Sequence, residues 1–324
     1  MFSVIMPLYN KAPYVEKAVG SVLAQTFKDF ELIVVDDGST DNSLEIVQSV
    51  ALDEVEVFKT SKIQIIEQKN AGVSTARNNG VKLAKYDYIT FLDADDCWDE
   101  HFLEEMKCLI EKFPEAAMYG CSYYLLKNGQ NKIAPIALPE NFEAGYIDYI
   151  KVYSERLCMP ITSITAVLRK TAFDETGGFK PQLRLGEDFD VWLRIALKHK
   201  VAFVNKPLAY YNQDVDLQNR GVQRLRNPQE NMLWHLQDFE NQADKTPYLK
   251  QLLDNLRVYS LFPYFLDKNY RETAKTELAK IDWTKQPKAA KRRYEMPVWL
   301  LKLRWQIQTT GSKCKTFFKK IMRK

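Results

Sequence analysis

The pattern of hydrophobic and polar positions divides the chain in two. Up to about residue 215, short apolar runs alternate with amphipathic stretches. Phe2–Met6, Phe30–Val35, Ile63–Glu67 and Tyr88–Phe91 are short runs rich in Val, Ile, Phe and Tyr, the composition of strands buried in a sheet. Helical spacing lies between them. Tyr14, Ala18, Val22 and Leu23 share one apolar face behind Pro13, and a helix over Leu44–Val50 follows the cap candidates Thr40 and Asp41. Asn70–Gly80 enters a helix with small residues on the face that must approach the sheet, and another helix is predicted from about Asp99 to Lys112. Strand and helix alternating at this pitch predict βαβ units and a mostly parallel, Rossmann-like sheet flanked by helices.

Further strands are predicted over Ala117–Leu126 and Thr162–Leu168, on either side of a looser segment rich in Pro and Asn. A helix over Glu187–Lys200 and two short strands, Ala202–Asn205 and Leu208–Asn212, complete this pattern. Beyond Asp216 the β-branched runs stop, and helical patterns continue, broken near Pro247, Pro263, Pro287 and Pro297. The expected organisation is an α/β domain over 1–220, with halves at about 1–97 and 98–220, then a helical region over 221–324.

Composition adds little until charge is followed along the chain. With 46% hydrophobic and 27% charged residues and a net charge of +4, the whole is ordinary for a globular protein. From Lys285 onward, however, thirteen Lys/Arg face one acid, Glu295, so the part before it is net acidic. Such asymmetry predicts a basic tail with an anionic partner. The five cysteines form no CxxC and are odd in number, which suits a reduced, cytoplasmic chain. The opening segment has no basic stretch and its apolar run stops at Pro7, unlike a secretory signal. No window has the length of a membrane span.

The strand ends carry the chemistry. Asp93, Asp95 and Asp96 follow the run Tyr88–Phe91, and in an open parallel sheet ligands bind at the carboxyl edge of the strands. Carboxylates there are hard oxygen ligands of the kind Mg²⁺ or Mn²⁺ takes beside phosphates; a solvated turn capping the next helix is the competing reading. The first turn, Pro7–Pro13, has no glycines, so no dinucleotide phosphate is cradled there by amides. It offers Tyr9 and Lys11 instead. Asp36 and Asp37 end the second strand, where they can accept from a base or ribose or form an Asx turn. Arg77, on the helix after Gly72, can face a phosphate or sit in a surface ion pair. Together these groups suit a nucleoside diphosphate with a divalent ion.

Five segments in order, Ser3–Asn10, Val34–Asp41, Asn70–Gly80, Phe91–Asp96 and Gly186–Asp190, resemble the successive motifs of family 2 glycosyltransferases over roughly residues 1–215. The resemblance implies a GT-A fold and transfer from a nucleotide-diphosphate sugar, UDP-sugar above all, to a glycan or lipid-linked acceptor in bacterial surface polysaccharide or related assembly. It implies that Pro7, Tyr9 and Lys11 line the base pocket and that Asp37 bonds the uracil. Arg77 would meet the nucleotide or its diphosphate, Asp93 the ribose or the ion, and Asp95 the ion directly; Asp96 is left undecided. Asp188 would be the base of an inverting transfer, with Glu187 orienting it or touching the acceptor. Asp190–Arg194 reads as a plain helical ion pair.

Many relatives have a Tyr-Arg-x-His-like segment where this chain reads Tyr210–Asp216, without His. Gln213, Asp214, Asn219 or Arg220 are left there as unassigned substitutes. Two other readings compete: a nucleotidyltransferase, which wants a glycine- and basic-rich first loop, and a catalytically silent sugar- or membrane-surface binding protein. In the tail, Met296, Trp299, Leu300, Leu303 and Ile307 share a helical face beside Lys302 and Arg304, and Phe317, Phe318, Ile321 and Met322 recur among lysines. That pattern predicts peripheral contact of residues 285–324 with anionic lipid on the inner face of the cell membrane, with a helix packed on the domain as the alternative. No nucleic-acid motif accompanies the charge, so nucleic acid is not an expected partner.

Overall fold

The computed structural model describes residues 1–58, 62–215, 225 and 227–301, with side chains omitted over 54–58. Its elements begin β1 (Phe2–Leu8), α1 (Val15–Leu23), β2 (Phe30–Asp36), α2 (Ser43–Phe58), β3 (Ile63–Glu67), α3 (Val73–Leu83) and β4 (Tyr88–Phe91). These are the βαβ units expected from the apolar runs. β3, β2, β1 and β4 lie side by side and all parallel, with Phe2 opposite both Phe30 and Tyr88. Their carboxyl ends therefore share one edge.

Alternation along β1 explains its burial on two faces. Val4, Met6 and Leu8 join Val15, Ala18, Val19 and Val22 of α1 in the larger core. Ile5 points the other way, toward α3. Gly80 permits that approach, because a Cβ there would lie 2.5 Å from Ile5 Cγ2. On α1 the buried stripe is Val15, Ala18, Val19 and Val22, one position round from the expected face.

The sheet then changes character. β5 (Cys97–Trp98), α4 (Phe102–Lys112), β6 (Ala116–Lys127), β7 (Gln130–Ile133), β8 (Ala144–Ile147), α5 (Tyr149–Arg156), β9 (Val167–Arg169), α6 (Lys170–Thr176), α7 (Glu187–Ala196) and β10 (Lys200–Asn212) follow. β9 runs antiparallel to both β4 and β6, joining the parallel half to a mixed one; β10 is parallel to β6 and antiparallel to β5 and β8. The two short strands expected around Asn205 are one strand, β10, with register shifts between Val204, Pro207 and Ala209. Pro207 lacks the N–H of a regular ladder, so the strand bulges rather than ends. Much of 162–168 is a single 3₁₀ turn, Ser163–Thr165, leading into the short β9.

Contacts divide the chain into two units, Met1–Leu252 and Leu253–Lys324. The composition change expected near 220 falls among residues outside those described. α8 (Gln237–Ala243) belongs to the first unit, and α9 (Leu249–Ser260) begins there. In the second, α10 (Phe262–Leu266), α11 (Arg271–Leu278) and α12 (Lys288–Glu295) gather around Tyr294. Its ring meets Phe262, Phe265 and Trp283 edge-on, and its hydroxyl donates to the Val258 carbonyl at 2.6 Å. Among the described residues no helix is long and apolar enough to cross a membrane.

Candidate active site

The loops after β1 and β2 are laced together. Asn10 takes a left-handed backbone (φ 51°), and its Oδ1 accepts the Thr40 amide at 2.7 Å. The amides of Asn10, Lys11 and Ala12 donate to Ser39 Oγ, Ser43 Oγ and Asp41 Oδ2. Small polar side chains in SVIMPLYN and VVDDGSTD thus hold one loop against the other. Pro7 is half-buried, and Tyr9 stands exposed at the end of β1.

The acid pair after β2 splits its duties. Asp36 forms the Asx-type turn, accepting from the amides of Gly38 and Ser39. Asp37 is buried and reaches sideways instead. Its carboxylate accepts from Gln68 Nε2, the Ala71 amide and the Gly72 amide at 2.7, 2.7 and 2.8 Å. Three of its roughly four acceptor positions therefore fix the entry to α3, where Gly72 has φ 92°.

α3 is the strut of the site. Ser74 Oγ donates to the Leu183 carbonyl, and Asn78 exchanges hydrogen bonds with the backbone of Phe179. Between them Arg77 is 2% exposed, stacked at 5.3 Å on Phe179. Its Nη2 lies 2.6 Å from Asp93 and its Nη1 2.9 Å from Glu187. Burial opposes its charge, yet Asp93 and Glu187 together keep its pKa above the ordinary value. The sequence offers a phosphate contact or a surface pair; the pair is buried rather than on the surface, and Arg77 clamps the end of β4 to the start of α7. Ser74 and Asn78 went unnoticed, because nothing in their residue type distinguishes a strut from a solvated helix face.

The three acids after β4 have three environments. Asp93 is held by Arg77. Asp95 Oδ2 lies 2.6 Å from Lys11 Nζ, with the two side chains only 18% and 16% exposed. The ammonium of Lys11, expected in a base pocket, is thus turned onto the acid expected to bind a metal. Burial raises the Asp95 carboxyl while Lys11 pulls it down, and the net direction is up. Asp96 is buried and accepts from the Asn212 amide at 2.7 Å, tying β4 to the end of β10. Burial, with Asp95 and Asp93 adding like charge, pushes its carboxyl well above the usual range.

Gly186, in the left-handed region, caps α7, so Glu187 and Asp188 open the helix. Asp188 Oδ1 accepts from the Phe189 amide at 2.7 Å. Burial first, then the like charge of Glu187, push its carboxyl up to about 7 against the pull of Arg77. It keeps part of its surface open to solvent. Asp190 is more than a plain helical pair: fully buried, it meets both Arg194 and Lys180, and Arg194 also donates to the carbonyls of Thr176 and Gly178. This clamp fixes the turn leading to α7.

α5, which the sequence pattern did not reveal, supplies Tyr149 and Tyr153. Burial raises both phenols, and the charge of Asp188 adds to each. Tyr149 Oη is buried without a hydrogen-bond partner among the described residues. Asp214 caps the β6–β7 turn, accepting from the amides of Asn128 and Gly129. Asn219, Arg220 and the tail from Lys302 onward lie outside the described residues.

Among the described residues no group of three His, Cys, Asp or Glu side chains converges as a metal site. The donor set nonetheless suits a hard cation: the carboxylates of Asp93 and Asp95, with a side-chain ammonium already standing at Asp95. An ion there would draw its other ligands from water and phosphate, as Mg²⁺ commonly does.

A model of the family described as glycosyl transferase family 2 matches residues 3–177. EpsJ of Bacillus subtilis, named as an uncharacterized glycosyltransferase, is 33% identical over 141 residues, which are 44% of this chain and 39% of the relative. The chain spans between 30% and 39% of the length of the first curated relatives it matches. Among solved structures, S. aureus TarS in complex with UDP-GlcNAc superposes with a TM-score of 0.67 at 20% identity, over 86% of this chain and 78% of that one. The mannosyltransferase PcManGT from Pyrobaculum calidifontis, in complex with GDP-Man and Mn²⁺, gives 0.55 at 19% identity over 90% and 77%. With the family match covering more than half of it and the sheet order and strand-end acids in place, the chain belongs to glycosyl transferase family 2 and has the GT-A fold.

Proposed function

We propose that the protein is an inverting glycosyltransferase that moves a sugar from a nucleotide diphosphate, UDP-sugar first, to a hydroxyl of a glycan or lipid-linked acceptor. The observation that carries this reading is the Arg77 clamp. One buried guanidinium ties the acid at a nucleotide-type strand end, Asp93, to the helix start that presents Asp188. A donor group and a base are thereby held in one frame. The bound nucleotides of TarS and PcManGT support the donor class.

In this reading the acceptor oxygen attacks the anomeric carbon as the bond from that carbon to the diphosphate oxygen breaks. Asp188 takes the hydroxyl proton. A carboxyl raised to about 7 is matched to that task near neutral pH, because a base works best with a pKa near the working pH. Glu187, fixed on Arg77, orients the helix start and raises the basicity of Asp188. Asp95, assisted by Asp93, would hold Mg²⁺ or Mn²⁺, which would neutralise charge on the leaving diphosphate. Tyr9 gives an exposed ring at the end of β1 for the base, and Asp37 fixes the loop beside it.

The basic end fits a peripheral role at an anionic membrane. α12 exposes Lys288, Lys291 and Arg292, and Trp299 beyond it is 69% exposed, a pairing that suits the lipid interface. Flotation with anionic vesicles tests this; binding unchanged when Lys288, Lys291 and Arg292 become Ser removes α12 from the contact. The central test is a panel of nucleotide sugars with released nucleotide measured, with and without Mn²⁺. UDP release that requires acceptor supports transfer. Release of pyrophosphate would indicate nucleotidyl transfer, and binding without turnover a silent relative.

A further inference from the structure

The ion pair between Lys11 and Asp95 links two loops 84 residues apart at the proposed donor site. It is shielded on both sides, which sets it apart from the exposed pairs elsewhere on the surface. A divalent ion such as Mg²⁺ bound to Asp95 Oδ2 would stand about 2.0–2.1 Å from an oxygen that already has the Lys11 ammonium at 2.6 Å. Two cations held this close to one carboxylate in a shielded site repel each other, which favours the departure of one. Lysine is suited to leave, being a point charge on a flexible four-carbon stem. Its backbone stays in place, because the Lys11 amide is anchored on Ser43.

We propose that Lys11 is the resident counter-cation of Asp95, displaced by the incoming divalent ion and transferred to the diphosphate that arrives with it. Lys11 thereby lowers the affinity of the empty site for metal and raises the affinity of the metal-bearing site for nucleotide. The two ligands become coupled through one side chain, and the coupling is reciprocal. This rests on the nucleotide-sugar reading above, and it assigns Lys11 to the diphosphate rather than to the base.

The test is Mn²⁺ binding to the full chain, followed by electron paramagnetic resonance without nucleotide. Lys11→Met should raise Mn²⁺ affinity about tenfold, the order expected when a shielded competing charge worth about 1.4 kcal/mol is removed. Lys11→Arg, which keeps the charge, should stay near wild type, and Asp95→Asn added to Lys11→Met should abolish the gain. UDP should then strengthen Mn²⁺ binding less in Lys11→Met than in wild type. Unchanged or weaker Mn²⁺ binding in a folded Lys11→Met protein overturns the proposal, as does a gain that survives Asp95→Asn. Lys11→Gln, made in parallel with circular dichroism of both, separates a folding defect from a binding result. Because Mn²⁺ alone is measured, a protein that fails every sugar assay yet gains Mn²⁺ affinity would sink the transfer reading and leave the displacement standing.

Discussion

Replacing Asp188 by Asn separates the cost of this carboxylate from its use. A carboxyl raised to about 7 from the ordinary value near 4 makes ionisation in the folded protein cost up to about 4 kcal/mol. Because Asp188 is partly open to water, the effective figure is about 1–3 kcal/mol. The sign follows from proton counting. Between about pH 4 and pH 7 the folded protein holds a proton that the unfolded chain has released, so stability falls as pH rises through that window. Asn is neutral throughout and keeps an oxygen for the Phe189 amide. Asp188→Asn should therefore abolish transfer, yet be more stable than wild type by about 1–3 kcal/mol at pH 8, a gain that shrinks toward zero near pH 4. Urea unfolding at pH 8, 6 and 4.5 reads the stability, and sugar transfer over the same range should rise through about pH 7 in wild type. Transfer near the wild-type rate, or an equal stability difference at every pH, would refute the assignment of Asp188 as an elevated, catalytic carboxyl.

Arg77→Met should destabilise by about 3–5 kcal/mol, since it strands two acids around a buried site; thermal unfolding measures this, and a loss under about 1 kcal/mol would deny the clamp. Asp95→Asn should weaken Mn²⁺-dependent UDP binding in calorimetry, while Asp96→Asn, replacing a carboxyl already pushed toward its neutral form, should leave it near wild type. Equal losses in both would erase the distinction drawn between the neighbouring acids. Gly80→Ala should cost about 1–3 kcal/mol through contact with Ile5, and a neutral result would mean that α3 shifts away from the sheet without penalty.

The central strands of the parallel half were legible because β1 and β2 bury both faces and read as apolar runs, Phe30–Val35 being broken only by Glu31, whereas β3 at the edge is only partly buried. β7 and β8 were not: Gln130–Ile133 is exposed along its whole length, so no alternation marks it. α5 escaped for a related reason, since Tyr149–Arg156 mixes aromatic and charged residues without a clean stripe. At the site, the motif order singled out Lys11, Arg77, Asp93, Asp95 and Glu187 but not which of them pair. A sequence shows that Arg77 and Glu187 both occur in motifs; only folding brings side chains 110 positions apart to 2.9 Å. The loop sequence shows only that Lys11 is a cation beside Tyr9, and its base-pocket role is what the resemblance implies; the reach of its side chain to Asp95 depends on how β1 and β4 pair.

These partnerships change what the motifs mean physically. Asp37, Arg77 and Asp96 each make hydrogen bonds within the protein, to the entry of α3, to two acids, and to β10. They determine where the groups left open to a ligand can stand. Removing a clamp charge leaves a buried partner unsatisfied, which costs more than the interaction itself contributed. Substitutions at Arg77 should therefore lower stability and activity together, whereas those at Asp188 should trade one against the other. Asp95 and Lys11 belong to neither class: each shields the other's charge, so removing one should lower the empty protein's stability somewhat and change its response to metal most. Stability measured beside binding across these positions would thus sort the framework of the site from its working groups, a division that the motifs alone do not contain.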